Sequence, residues 1–361
     1  MAQVRIGDTC GAQRACLREG RSRNWISDAE RCGLKLMVRR RARKAVRLAR
    51  AQVRGGALIL VYHRISPPDE TPGRDPFRLC VGPGSFAEQI ASLADLGTVV
   101  PLSVLSERLR QGASVKGLIC VTFDDGYVDN LRVAAPVLRQ HGVPATFFIV
   151  TGKTGQSFWW DRLTGLVYGI RRIAPERRLR LDELGWSSEV ADLSPRSRAM
   201  LLTSLYALLK DRDEDQRSRA LGDLASQVEM DDQIPGRAMT WEEIGELLRD
   251  DLFEVGGHTL THPQLAAQTE EVQRTEMTGC RDQLSEFTGR PVTSFAYPFG
   301  ARQDVSKLTM EIARQVGYEV ACGTELDVVN AASNPLRLPR FWASDWGVEQ
   351  FSSRVRRWFR P

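Results

Sequence analysis

From residue 57 onward the chain alternates short apolar segments with longer amphipathic ones: ALILVYH (57–63), LICVTF (118–123), ATFFIV (145–150), LFEV (252–255), TSFAYP (293–298) and EVAC (319–322). Apolar runs of strand length separated by segments of helical period read as an α/β fold. Two helix starts carry capping-box spacing, Ser85 with Glu88 and Thr240 with Glu243. Between about residue 155 and 239 the strands stop. There LSPRSRAMLLTSLYALLK offers Ser194 as N-cap, Pro195 at the first helical position and Leu201, Leu205 and Leu208 along one face, which reads as a helical insertion.

With 361 residues, 42% hydrophobic and 26% charged, the chain is long enough for one large domain or two ordinary ones. No apolar run approaches the roughly 20 residues that span a bilayer, and the N-terminus lacks a signal-peptide apolar region, so a cytoplasmic location is expected. The seven cysteines (10, 16, 32, 80, 120, 280 and 322) are scattered without a C-x-x-C pair, which suits reduced thiols.

The net charge of +5 is unevenly placed. Residues 1–54 hold 13 Arg and 2 Lys against 4 acids, a local +11, while the remaining chain holds 35 basic and 41 acidic residues. From Val38 to Val53, small apolar residues recur at helical spacing opposite Arg39, Arg40, Arg43, Lys44, Arg47 and Arg50. The division expected is a basic, partly disordered arm over 1–54 and a catalytic domain over 55–361, interrupted at about 155–239. An arm this basic suits peripheral contact with an anionic membrane at its inner face, since each Lys or Arg contributes about 1 kcal/mol there. Its Ala- and Val-rich apolar face makes area-driven insertion weak. No nucleic acid partner is expected, and the sequence gives no oligomeric state.

The segment LICVTFDDGY (118–127) ends an apolar strand on two adjacent carboxylates, Asp124 and Asp125. Neighbouring acids repel and resist desolvation, so water, a cation or a proton must relieve them. Taken alone, Asp-Gly reads as a surface turn. A second strand runs into FEVGGHTLTHP (253–263), with His258 and His262 four apart, a spacing that on a helical turn lets two imidazoles share one cation. Two of the four histidines of the chain stand here. Two His and one carboxylate form the ligand set of an open zinc site, leaving the second carboxylate to act on water. SFAYPFG (294–300) and LVYHRI (60–65) place further candidates at strand ends, where parallel α/β barrels gather their chemistry.

These residues resemble the polysaccharide deacetylases, or NodB-like carbohydrate esterases. The T-F-D-D-G motif is matched by Thr122 to Gly126, H-[ST]-x-x-H-P by His258 to Pro263, and an aromatic-glycine motif by Pro298, Phe299 and Gly300. YHRI, TWEEI and LPRF extend the likeness over roughly 57–150 and 240–345. The resemblance implies a distorted (β/α) barrel and metal-dependent removal of N- or O-acetyl groups from sugars. It implies Asp124 as general base; Asp125, His258 and His262 as ligands of a divalent ion, foremost Zn²⁺; the Phe299 backbone N–H as oxyanion donor; and an acetylated amino sugar as substrate.

Two departures from the common family pattern stand out. Ala296 occupies the place of an Arg that orients the base, and no histidine follows Arg340 to serve as acid. His63 resembles the early acid histidine of the permuted branch of the family. Arg340, in LRLPRF, is either the replacement partner of Asp124 or a surface charge. Trp342, Asp345 and Trp346 suggest a sugar-stacking wall, and Trp159 and Trp160 a groove lining, with core packing the plainer account of the tryptophans. His141, before Gly142, reads as a helix C-terminal residue. The alternative functions are hydrolysis of a small non-sugar amide on the same fold and non-catalytic carbohydrate binding.

Overall fold

The computed structural model describes residues 55–67, 75–173, 178–190, 192–231, 236–249 and 251–359. The basic arm and the helix expected over 38–53 lie outside the described residues. The main sheet is built from β1 (Leu58–Tyr62), β2 (Thr98–Val99), β3 (Leu118–Phe123), β4 (Ala145–Ile149), β5 (Phe253–Gly257), β6 (Ser294–Ala296), β7 (Val320–Cys322) and β8 (Phe341–Trp342). All its pairs are parallel, in the order β7-β6-β5-β4-β3-β1-β8, with β2 beside the first half of β3. A parallel bridge between Cys322 and Leu338 joins β7 to the segment leading into β8, so the sheet curls into a distorted (β/α) barrel.

The six longer strands fall where the apolar runs predict them. Every residue of β1, β3 and β4 is buried, as expected for parallel strands covered on both faces. Phe123 and Phe147 stack across β3 and β4 with ring centroids 4.8 Å apart, and each fully buried ring contributes about 2–3 kcal/mol. Strands β2 and β8, two residues each, are too short to leave a periodic trace.

One of the two capping-box expectations is corrected. The helix α1 (Pro83–Ser92) starts before Ser85, because Pro83 takes its first turn and Gly82 is the N-cap, so Ser85 and Glu88 form no capping box. The capping box of Thr240 and Glu243 is present.

The segment 155–239 contains α4 (Trp159–Gly169), α5 (Pro195–Leu209) and α6 (Glu214–Ser226), but it is not helical throughout. Ile170–Ile173 pairs antiparallel with Val228–Met230, and Arg178–Leu181 with Trp186–Glu189. The second hairpin was written in RLRL, whose Leu179 and Leu181 are buried between exposed arginines, a period of two. Ser194 caps α5 by accepting from the Ser197 N–H. Its buried face is Leu201, Leu202, Leu205 and Leu209, with Leu208 only half-buried. Together with Trp159, Leu163, Leu221 and Leu224 these leucines form a core separate from the barrel's. Cys80, Cys120, Cys280 and Cys322 are buried free thiols. No helix among the described residues is long and apolar enough to cross a membrane.

Candidate active site

The two acids of LICVTFDDGY leave the strand in different directions because the backbone turns sharply between them. The Asp124 N–H still donates to the Tyr62 carbonyl at 3.0 Å, but Asp125 and Gly126 both adopt left-handed backbone, at φ 71° and 74°. A β-carbon on Gly126 would also sit 2.9 Å from Ile149 Cδ1. Asp124 therefore meets Arg340, and Asp125 meets the histidines.

Arg340 is 1% exposed, and its guanidinium binds Asp124 bidentately, Nη1 to Oδ1 at 2.7 Å and Nη2 to Oδ2 at 2.6 Å. Its Nε donates to the Gly323 carbonyl at 2.8 Å and Nη1 also to Thr122 Oγ1 at 3.2 Å. Burial would push the Asp124 carboxyl up, yet Arg340 and then His258 hold it at about 2. Of the two readings of Arg340, the geometry matches the partner of Asp124.

His258 and His262 do not share a helical turn. The segment after β5 is a loop in which Thr259 and His262 are left-handed, at φ 71° and 59°. Thr259 Oγ1 accepts from the His262 N–H at 3.0 Å. The buried Glu276 accepts from the Leu260 and Thr261 N–H groups at 2.8 and 2.9 Å and from Thr261 Oγ1 at 2.6 Å. The i, i+4 spacing thus works here through a clamped loop. Glu276 had a signal in the sequence: it shares the core-facing stripe of α8 (Glu270–Thr288) with Gln273, Met277, Cys280 and Leu284. An acid on an apolar stripe needs partners.

Ligand-capable atoms of Asp125, His258 and His262, all buried, lie within 4.8 Å of one another. Asp125 Oδ1 is 3.5 Å from His258 Nε2 and 3.4 Å from His262 Nε2, and it has no hydrogen-bond partner. Atoms bound tetrahedrally at about 2.1 Å around one cation stand about 3.4 Å apart, so the triad fits a divalent metal. His258 Nδ1 lies 2.6 Å from the Ala296 carbonyl, which fixes the tautomer that leaves Nε2 free to ligate. The Ala that replaces an Arg thus contributes its backbone. Burial and the neighbouring His258 hold His262 well below its ordinary value, in the neutral form a metal requires. Burial lowers His258 as well, but the carboxylates of Asp125 and Asp124 raise it overall.

His63 follows β1 with its ring stacked on Trp342, centroids 4.4 Å apart, and its Nε2 3.9 Å from Asp124 Oδ2. Asn130 Nδ2 donates to the His63 carbonyl at 2.7 Å, tying the end of β1 to the helical segment after β3. Burial lowers the His63 pKa against the pull of Asp125 and Asp124. Phe299 packs its ring on His262, centroids 4.9 Å apart, with φ 61°, and among the described residues nothing accepts from its N–H. Asp125, Thr259, His262 and Phe299 are four of the six non-glycine residues with positive φ among those described. Such strain persists where the surroundings over-determine it, and it gathers at functional sites.

The aromatic candidates divide. Trp160 packs 4.7 Å from the His262 ring and donates from Nε1 to Tyr127 Oη, while Trp159 is buried against Tyr206. Trp342 backs His63, but Trp346 lies beside Trp358, and Asp345 accepts from the Gly82 N–H ahead of α1. His141 is exposed at the end of α3 (Ala135–His141), followed by the left-handed Gly142.

The profile of the polysaccharide deacetylase family matches residues 111–189 and 202–321. The protein named "Putative polysaccharide deacetylase YxkH" of Bacillus subtilis (strain 168) is 31% identical over 99 residues, which cover 27% of this chain and 33% of that protein. Among solved structures, the deacetylase PplD of Streptococcus pyogenes, in complex with acetate, superposes with a TM-score of 0.54 at 19% identity, covering 83% of this chain and 98% of its own. IcaB from Ammonifex degensii gives a TM-score of 0.54 at 18% identity, covering 84% and 98%. These likenesses extend to the fold, and the profile spans more than half the sequence: the chain belongs to the polysaccharide deacetylase family.

Proposed function

We propose that this protein is a metal-dependent hydrolase that removes N-acetyl, or O-acetyl, groups from a polysaccharide, oligosaccharide or glycolipid sugar. The carrying observation is the division of labour between Asp124, forked by Arg340, and Asp125, aimed at His258 and His262. Asp125, His258 and His262 would hold the divalent ion, foremost Zn²⁺, which when bound supplies the Lewis acidity that makes the attacking water acidic. That help is needed, since a carboxylate held at about 2 is a weak base.

In this reading Asp124 takes a proton from the water whose oxygen adds to the acetyl carbon. The Phe299 N–H donates to the oxygen that becomes negative. The proton that Asp124 takes passes to His63, whose Nε2 stands 3.9 Å away, and as the C–N bond breaks His63 gives it to the leaving nitrogen. One proton of the water moves to the amine, the hydroxyl stays on the acetyl carbon, and the acetic acid so formed ionises to acetate on release.

Residues 55–361 would form the catalytic unit, interrupted at about 155–239. The basic arm would hold it on anionic lipid at the inner membrane face. The test is acetate release together with zinc content, on wild type and Asp124→Asn, with N-acetylglucosamine oligomers. Zinc in both and acetate from wild type alone is the expected result; zinc in both and acetate from neither would move the assignment to a non-sugar amide or to binding.

A further inference from the structure

We propose that the insertion completes the active site through Lys210, a positioning residue that holds the Phe299 peptide where its N–H is needed. This rests on the reading of Phe299 as oxyanion donor given above.

The chain of contacts begins with a buried cation. Arg217, in α6, is 1% exposed and lies 4.8 Å over the Trp159 ring. A guanidinium removed from water needs compensation. It finds that at the C-terminus of α5, where Nε donates to the Leu209 carbonyl at 3.1 Å, which also accepts from the Arg212 N–H, and Nη2 to the Lys210 carbonyl at 2.6 Å. The backbone of Lys210 is thereby fixed.

From that anchor the Lys210 ammonium reaches the barrel. It stands 3.0 Å from Asp304 Oδ1 and 4.4 Å over the Phe299 ring. Asp304 is 1% exposed, and Gln264 Nε2 donates to the same oxygen at 2.7 Å while the Ala301 N–H donates to Oδ2 at 3.1 Å. Gln264 is two residues past His262, and Ala301 two past Phe299. One buried carboxylate thus joins the ligand loop, the Phe299 loop and the insertion, and Lys210 supplies the opposite charge beside it.

Phe299 has reason to need such support. A phenylalanine at φ 61° relaxes unless its surroundings hold it. Thr324 Oγ1 grips its carbonyl at 3.0 Å, and Lys210 covers its ring. A small displacement of a donor that acts on developing charge lowers kcat more than it raises KM.

The test compares wild type, Lys210→Met and Lys210→Arg as zinc-loaded full-length chains. It follows kcat and KM for acetate release from N-acetylglucosamine oligomers, zinc content, and amide hydrogen exchange over residues 297–304. Lys210→Met is expected to lower kcat about tenfold with KM within about twofold and zinc retained. Exchange over 297–304 should quicken, and Lys210→Arg should recover most of both. Unchanged kcat, a change in KM alone, loss of zinc, or unchanged exchange over 297–304 would each overturn the proposal. If wild type releases no acetate, the deacetylase reading fails, and the exchange comparison alone decides whether Lys210 positions Phe299.

Discussion

Arg340 grips Asp124 fork to fork, at 2.7 and 2.6 Å, although 216 residues separate them in the chain. Both are buried, so neither charge tolerates the loss of the other. Arg340→Ala should lower stability by about 3–5 kcal/mol in urea unfolding. Arg340→Lys keeps the charge but loses the fork, and should lower kcat by about 10- to 100-fold with a smaller loss of stability. Equal kcat in wild type and Arg340→Lys would show that the fork has no part in turnover.

The two adjacent acids should fail differently. Asp125→Ala removes a ligand and should lose metal, whereas Asp124→Asn should retain metal and lose about 10²- to 10⁴-fold in kcat. Chelator should silence wild type, and zinc should restore it. Metal analysis beside steady-state kinetics separates the two cases, and a metal-free Asp124→Asn would contradict the assignment.

His63 acts, in the proposed chemistry, only on the leaving group. His63→Ala should therefore cost about 10²-fold or more in kcat on an acetylated amine and far less on p-nitrophenyl acetate, whose leaving group needs no proton. A loss equal on both substrates would assign His63 to binding or structure instead.

Asp161 sets a pH dependence of stability. Its carboxyl, 5% exposed, accepts from Tyr127 Oη at 2.7 Å. Burial pushes its pKa up to about 7, against the pull of Arg64 and the Tyr127 hydroxyl. Unfolded, it would titrate at about 3.9. From about pH 4 to about pH 7 the folded state keeps a proton that the unfolded state has released, so stability falls as pH rises through that window and levels off above it. The full effect is up to about 4 kcal/mol. Asp161→Asn should remove it, so urea midpoints of the two proteins should converge or cross between pH 4 and 7. A constant gap would refute the shift.

The basic arm should be separable from catalysis. Removing residues 1–54 should leave acetate release within about twofold and abolish sedimentation with anionic vesicles. Equal binding of the full chain to anionic and neutral vesicles would exclude the electrostatic account.

What could be read from the sequence followed from period and from chemistry at strand ends. Five- and six-residue apolar runs announced β1, β3 and β4, and the carboxylates and imidazoles after β3 and β5 announced the triad. The partner of Asp124 was visible only as one arginine among many, because nothing local marks a side chain whose contact lies across the barrel. Lys210, Asp304 and Glu276 act the same way, through contacts 94, 40 and 16 residues distant. The hairpin at RLRL escaped because a two-residue period among arginines looks like a charged surface, though its leucines are buried.

The left-handed residues of the active site have a consequence for mutational tolerance. At Asp125, Thr259, His262 and Phe299 a glycine would relax the backbone, yet it would delete the proposed ligands Asp125 and His262 and the Thr259 hydroxyl that steadies the loop between the histidines. Phe299 differs in kind, since glycine would keep the main-chain N–H it is proposed to contribute but delete the ring that Lys210 covers. Selection for thermal robustness alone would therefore erode these positions toward an inert, firmer barrel, and only selection for turnover keeps them as they are.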